Sequence, residues 1–209
     1  QAIFPGYKNK SGIIQHLGNG RFLAITDIDA PNYRVIEIDA AKPDPKNWQE
    51  IIPESENLLQ SASTVGKKLF ADYLQNATTR YYQMDYNGKN KKEIKLPGVG
   101  SAGGFYGKEE ENITFYTFTS FIYPSVIFKY DLKTGKSEQF FKTPLKFNPE
   151  EYEEKQVFYP SKDGTKVPMF LCHKEGLKLD GSNPALLYGY GGFNISITPS
   201  FSVSRLTWM

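Results

Sequence analysis

The sequence predicts a mainly β protein: a partial β-propeller of about three four-stranded blades, followed by the opening strands of a second sheet. Three observations predict it. An aspartate closes a strand-like segment at a fixed interval, in Tyr33–Asp39, Tyr81–Asp85 and Ile127–Asp131, so that Asp39, Asp85 and Asp131 stand 46 residues apart. A second column, Gly20–Ile25, Gly66–Ala71 and Asn112–Thr117, keeps the same interval in register. Finally, aromatic side chains make up 15% of the 209 residues, a composition that suits pleated surfaces.

Each period reads as four short strands separated by turn signals. In the third copy they are expected near Ser101–Tyr106, Ile113–Phe118, Val126–Tyr130 and Ser137–Phe141, with a last turn at Lys133-Thr134-Gly135. Four strands in 40 to 50 residues make one propeller blade, and closed propellers have four to eight of them. Three copies, filling about residues 12 to 148, cannot close a ring, and an open arc leaves unpaired edges. A piece of a longer protein is therefore expected. The repeated aspartates are expected to bracket turns and accept backbone hydrogen bonds. One carboxylate per repeat gives no converging ligand set, so no metal and no cofactor is expected.

The repeat stops at a linker, Pro144–Pro149. Gln156–Tyr159, the turn Lys162-Asp163-Gly164 and Thr165–Leu171 then predict a β-hairpin. A polar loop, Lys174–Asn183, leads to an apolar run, Pro184–Leu187, read as a third strand. It feeds Tyr188-Gly189-Tyr190-Gly191-Gly192-Phe193. Two antiparallel strands and a third entering a glycine turn is how an α/β-hydrolase sheet begins, and the loop after its third strand supplies half of an oxyanion hole. The expected division is thus a partial propeller over 1–147 and the start of a hydrolase domain over 148–209. Only 16 residues follow Phe193, and none forms a G-x-S-x-G elbow, so this stretch is expected to carry part of an active site without its nucleophile.

Other chemistries find little support. Net charge is +2 with scattered basic residues, which gives no nucleic-acid footprint. No run of 18 apolar residues exists, and Gln1-Ala2-Ile3 begins no charged leader segment, so no membrane partner is expected. Compartment stays open, the cytoplasm being expected ahead of the periplasm. The glycine-rich loop lacks the Lys-Ser/Thr of a phosphate cradle. Cys172, the single cysteine, is adjacent to His173 in a strand, so the two point to opposite faces and form no nucleophile–base pair. His16 reads as a blade residue, and Ser200, Ser202 and Ser204 lie in no elbow. The sequons at Asn76, Asn112 and Asn194 are short enough to arise by chance.

Ser161–Phe170 (SKDGTKVPMF), Leu177–Pro184 (LKLDGSNP), Leu187–Pro199 (LYGYGGFNISITP) and Ser202–Leu206 (SVSRL) closely resemble the prolyl oligopeptidase family. Ala30–Arg34 (APNYR) and Phe118–Phe121 (FTSF) extend the resemblance into the repeats. It implies an internal segment of a protein of roughly 700 residues, holding the last propeller blades and the first hydrolase strands. The implied activity is serine-type hydrolysis of short peptides on the carboxyl side of proline, with the Ser-Asp-His triad beyond Met209 and a monomeric full-length enzyme. By the same resemblance Tyr190 donates its hydroxyl to the oxyanion, Phe193 lines the proline pocket, and Gly189, Gly191 and Gly192 shape the supporting loop. Related oligopeptidases of other specificity share the architecture, and a propeller-derived peptide- or protein-binding module without catalysis is the alternative.

Overall fold

The computed structural model describes residues 3–4, 6 and 8–209; Gln1 and Ala2, where the absence of a leader was read, lie outside the described residues. Three four-stranded antiparallel sheets follow one another along the chain. The first contains β1 (Ser11–Gly18), β2 (Arg21–Thr26), β3 (Arg34–Asp39) and β4 (Gln49–Ile52). The second contains β5 (Leu58–Val65), β6 (Lys68–Gln75), β7 (Thr78–Asp85) and β8 (Lys92–Ile94). The third contains β9 (Ser101–Gly104), β10 (Ile113–Thr119), β11 (Val126–Asp131) and β12 (Ser137–Lys142). Each is a meander in sequence order, consistent with part of a propeller, and among the described residues no closed ring forms. The strands expected in the third copy are found within a few residues of their expected bounds.

Turn chemistry sets the register. Asn19-Gly20, Gly66-Lys67 and Asn76-Ala77 each join two strands through two residues with positive φ, the mirror-image turn that matches the right-handed twist of a hairpin. At Gly66 the space is closed as well, because a Cβ would collide with the Glu111 carbonyl oxygen and Leu132. The repeated aspartates divide. Asp39 and Asp131 cap their turns as expected, accepting the Ala41 N–H at 2.9 Å and the Thr134 N–H at 2.7 Å. Asp85 instead accepts from two side chains, Lys68 Nζ at 2.5 Å and Asn90 Nδ2 at 2.6 Å.

Strand alternation distributes the core between the sheets. Leu23 and Val35 of the first sheet meet Leu69, Ala71, Tyr73 and Met84 of the second. The opposite face of the second sheet, with Phe70 and Tyr81, meets Tyr116, Phe118 and Tyr130 of the third. Phe105 sits at the centre of that interface, stacked on Phe70 and Tyr116 with ring centroids 5.2 and 4.6 Å away. It is fully buried with φ of 63°, a costly backbone for a bulky residue, held because the ring fills the gap between two sheets. Gln83 then ties the sheets together: its amide oxygen accepts from Tyr130 at 2.8 Å and its nitrogen donates to the Leu132 carbonyl at 3.2 Å.

The expected hairpin forms, longer than foreseen, as β13 (Tyr152–Pro160) and β14 (Lys166–Lys174). The expected third strand does not. Residues 184–187 are irregular and Leu187 is 85% exposed. A strand exists only beside a hydrogen-bonding neighbour, and among the described residues none runs alongside this run, so no hydrolase sheet is present. A short helix, α1 (Val203–Trp208), ends the chain.

Candidate active-site loop

The hairpin and the C-terminal segment dock on the end of the second and third sheets that carries the β6–β7 turn and the β10–β11 loop. Phe170 of β14 packs edge-on against Phe121, with centroids 5.1 Å apart. Glu154 of β13 accepts the Phe121 N–H at 3.1 Å, and Gln156 donates to the Asn76 carbonyl at 2.5 Å. Phe201 N–H donates to Thr119 Oγ1 at 3.2 Å, and the Arg205 guanidinium lies 5.1 Å from the Phe121 ring. Residues 175–200 run between these two anchored segments.

The glycine-rich loop sits in that span and faces solvent. Tyr190 is 49% exposed and its hydroxyl has no hydrogen-bond partner among the described residues. Phe193 is 92% exposed, with φ of 52°, and forms a turn with Asn194, closed by the Ile195 N–H to the Gly192 carbonyl at 3.1 Å. Gly191 has φ of 72° and needs its missing side chain, whereas Gly189 and Gly192 have ordinary φ and open space around them. One loop thus presents both aromatic side chains outward, a phenol O–H able to donate and an apolar ring.

The other nucleophile candidates are disarmed. Cys172 faces Glu154 across the hairpin, and burial, reinforced by that carboxylate, pushes its thiol up to about 12, with nearby Arg205 pulling the other way. His173 points to the opposite face, with Nδ1 2.9 Å from the Lys174 carbonyl and Nε2 3.6 Å from Glu153. Ser202 and Ser204 bond to each other at 2.8 Å, and Ser200 accepts from Arg205.

Two groups escaped the sequence reading. Asp72 lies in β6 at the same parity as Phe70, 9% exposed, with Oδ1 buried and unpartnered. Burial raises its carboxyl to about 6, against the pull of the Ser61 and Tyr81 hydroxyls. A carboxylate inside the otherwise apolar run Leu69–Leu74 was the available signal. Glu154 is the second: burial lifts its carboxyl, opposed by donors from Ser120, Ile122 and Phe121 and by Arg205, and its Oε1 is buried without a partner.

Known proteins now place the chain. The profile of the prolyl oligopeptidase N-terminal β-propeller domain matches residues 1–143. The chain belongs to the prolyl oligopeptidase family. A prolyl endopeptidase of Elizabethkingia miricola is 44% identical over 207 residues, which cover 99% of this chain and 29% of the relative. One from Dictyostelium discoideum is 35% identical, covering 94% of this chain and 27% of the relative. The chain therefore spans under a third of the relatives it matches. Among solved structures, one from a mechanistic study of two prolyl endopeptidases superposes with a TM-score of 0.88 at 44% identity, over 99% of this chain and 30% of that one. Prolyl oligopeptidase B of Galerina marginata, bound to a 35-residue hydrolysis and macrocyclization substrate, gives 0.86 at 30% identity, over 97% and 29%.

Proposed function

We propose that this chain is an internal segment of a serine-type oligopeptidase that hydrolyses short peptides on the carboxyl side of proline. The observation that carries the reading is similarity to prolyl endopeptidases across 99% of the chain, through the glycine-rich loop as well as the repeats. Residues 1–147 would be the last propeller blades and 148–209 the start of the catalytic domain. Hairpin β13–β14 supplies that domain's first two strands, and 184–187 becomes the third once the rest of the sheet runs beside it.

In this reading a serine from the remainder of the enzyme attacks the carbonyl carbon of proline. A Ser O–C bond forms, the peptide C–N bond breaks, and the proton passes through histidine to the leaving amine; water then attacks the acyl carbon, the Ser O–C bond breaks, and the peptide acid and free serine are released. Tyr190 donates its free hydroxyl to the oxyanion of the tetrahedral intermediate, and Phe193 offers its ring face to the pyrrolidine. Gly191 allows the turn between them, with Gly189 and Gly192 supporting the loop. Because serine, aspartate and histidine of the triad lie outside the chain, it is inactive alone. Its partners are proline-containing peptides, and the full-length enzyme is monomeric.

The test is turnover of an acyl-Gly-Pro chromogenic substrate by the full-length enzyme and its Tyr190→Phe variant. An oxyanion donor is worth roughly 3 kcal/mol, so kcat should fall about a hundredfold with KM little changed. Unchanged kcat would remove Tyr190 from the site. Turnover by the 209-residue chain alone would mean that its nucleophile lies within it.

A further inference from the structure

We propose that Arg205 is a positioning residue for Tyr190, acting by clamping the segment downstream of the glycine-rich loop onto Phe121 of the third sheet. The proposal rests on the peptidase reading above. It adds to that reading a part for a residue of the repeats in the chemical step.

The clamp is built on one buried ring. Phe121 lies in the loop between β10 and β11. From the hairpin side Phe170 packs against it, and its N–H donates to Glu154. From the C-terminal side the Arg205 guanidinium lies 5.1 Å from the ring centroid, within cation–π range. Residues 171–204 therefore leave Phe121 and return to it, with Tyr190 and Phe193 near the middle of the excursion.

Arg205 also shapes the returning arm. Its Nη2 donates to the Ser200 carbonyl and, at 3.2 Å, to Ser200 Oγ, which folds residues 200–205 into a closed turn. Beside that turn Pro199 is buried, the Phe201 N–H donates to Thr119 Oγ1, and the Phe201 ring packs on Phe147 with centroids 5.6 Å apart. Arg205 Nε is sealed from solvent, so the inner edge of the guanidinium is packed into the junction although the residue is only half-buried. One planar group thus serves a carbonyl, a hydroxyl and an aromatic face at once, which an ammonium cannot do.

The loop needs such a fastening. Upstream it takes its position from the strand that 184–187 becomes in the complete sheet. Downstream, among the described residues, 194–200 make a single backbone–backbone hydrogen bond, Ile195 N–H to the Gly192 carbonyl, and the first hydrogen bond to the sheets comes at Phe201. Ser200 stands 10 residues beyond Tyr190, and a flexible chain of that length ranges over roughly 15–20 Å. An oxyanion donor must lie about 2.7–3.1 Å from the oxygen it serves, and a misplacement of about 1 Å can cost about a hundredfold in rate. Fixing the far end of the arm at Arg205 narrows the range of Tyr190 without any contact to substrate.

The test is a double-mutant cycle in the full-length enzyme with the acyl-Gly-Pro substrate. Arg205→Met keeps an unbranched apolar stem and removes the guanidinium, so kcat should fall about tenfold with KM within about twofold. In the Tyr190→Phe background the same change should cost less than about twofold, because the group it positions is gone. The Ile195 and Phe201 amides should exchange at least about fivefold faster in Arg205→Met, with β6 unchanged. Phe121→Leu keeps an apolar partner for Phe170 and removes the ring face; it should lower kcat and be nearly silent beside Tyr190→Phe in the same way. Equal losses of kcat with and without Tyr190, or a loss confined to KM, overturn the proposal. If Arg205→Met fails to fold, the Phe121→Leu cycle decides by the same rule. Unchanged kcat in Tyr190→Phe removes the group to be positioned and overturns it as well. No turnover by the wild-type enzyme sinks the peptidase reading and Arg205 with it, whereas turnover with an additive cycle keeps that reading and removes Arg205 alone.

Discussion

Replacing Asp72 by asparagine should stabilise the protein at neutral pH and leave it unchanged in acid. The carboxyl is 9% exposed, faces the interface of the second and third sheets, and has one oxygen without a donor. Burial raises it from 3.8 to about 6. That rise corresponds to roughly 3 kcal/mol of discrimination against the ionised form in the folded state. An acid raised on folding contributes stability in full below 3.8, loses it as pH climbs, and has lost it above about 6. At pH 8 the native protein therefore carries an ionised Asp72 at a cost approaching ~3 kcal/mol, which asparagine avoids while still accepting from Ser61 and Tyr81. For a chain of this size, 1 kcal/mol moves Tm by about 2–4 °C, so Asp72→Asn should gain on the order of 6–12 °C at pH 8. Thermal unfolding by circular dichroism from pH 3.5 to 8 reads the effect directly. The gain should open between pH 4 and 6.5 and stay flat above. A gain equal at pH 3.5 and pH 8, or a loss at pH 8, would refute the assignment of Asp72 as a buried, destabilising charge.

Four further outcomes follow from the packing. Phe105→Ala empties the centre of the aromatic interface and should cost about 3–5 kcal/mol in urea unfolding. Gly66→Ala forces a side chain into positive φ and against Glu111 and Leu132, and should destabilise by about 2 kcal/mol or more; Gly164→Ala, with positive φ but open space, should cost about half as much in the same assay. Glu154→Gln removes a carboxylate whose ionised form burial disfavours, so amide exchange in β13 and β14 should slow at neutral pH, the difference vanishing in acid. Phe193→Ala should leave stability within 0.5 kcal/mol, as expected for an exposed side chain. In the full-length enzyme it should raise KM for proline substrates.

The repeats were legible because their signals are local. A glycine or asparagine in a two-residue turn, an aspartate capping the next one and strict alternation between them specify a four-stranded meander without knowledge of its neighbours. Hence the 46-residue period located all four strands of the third sheet. The apolar run at Pro184–Leu187 carries an equally clear strand signal, yet no strand forms, because pairing is a non-local condition that β-propensity does not meet. Asp85 shows the same limit on a smaller scale. It occupies the repeat column of Asp39 and Asp131, but Lys68 across the sheet and Asn90 beyond the turn take its oxygens. Asp72 and Glu154 were visible as residues and not as perturbed carboxyls, since burial depends on which surface closes over them. Tyr190 and Phe193 were singled out by resemblance; the structure puts them in one solvent-facing loop.

The two kinds of contact in this chain differ in what they resist. The sheet-to-sheet interfaces bury whole rows of apolar side chains and the Gln83–Tyr130 bond, so separating sheets exposes a core. The hairpin and C-terminal segment hold to the sheets by a few hydrogen bonds, from Phe121 and its neighbours Ser120 and Ile122 to Glu154, from Gln156 and from Phe201, by the Phe121–Phe170 contact and by Arg205 over Phe121. The Phe121 bond ends on Glu154, whose second oxygen is buried without a donor. Few buried apolar contacts and a partly unsatisfied carboxylate make a junction that opens at lower free energy than the sheets beside it. The glycine-rich loop hangs from the far side of that junction, so its position depends on a weaker contact than those that hold the sheets together. Amide exchange should accordingly report two classes, with β13 and β14 exchanging well before β6, β7 and β10.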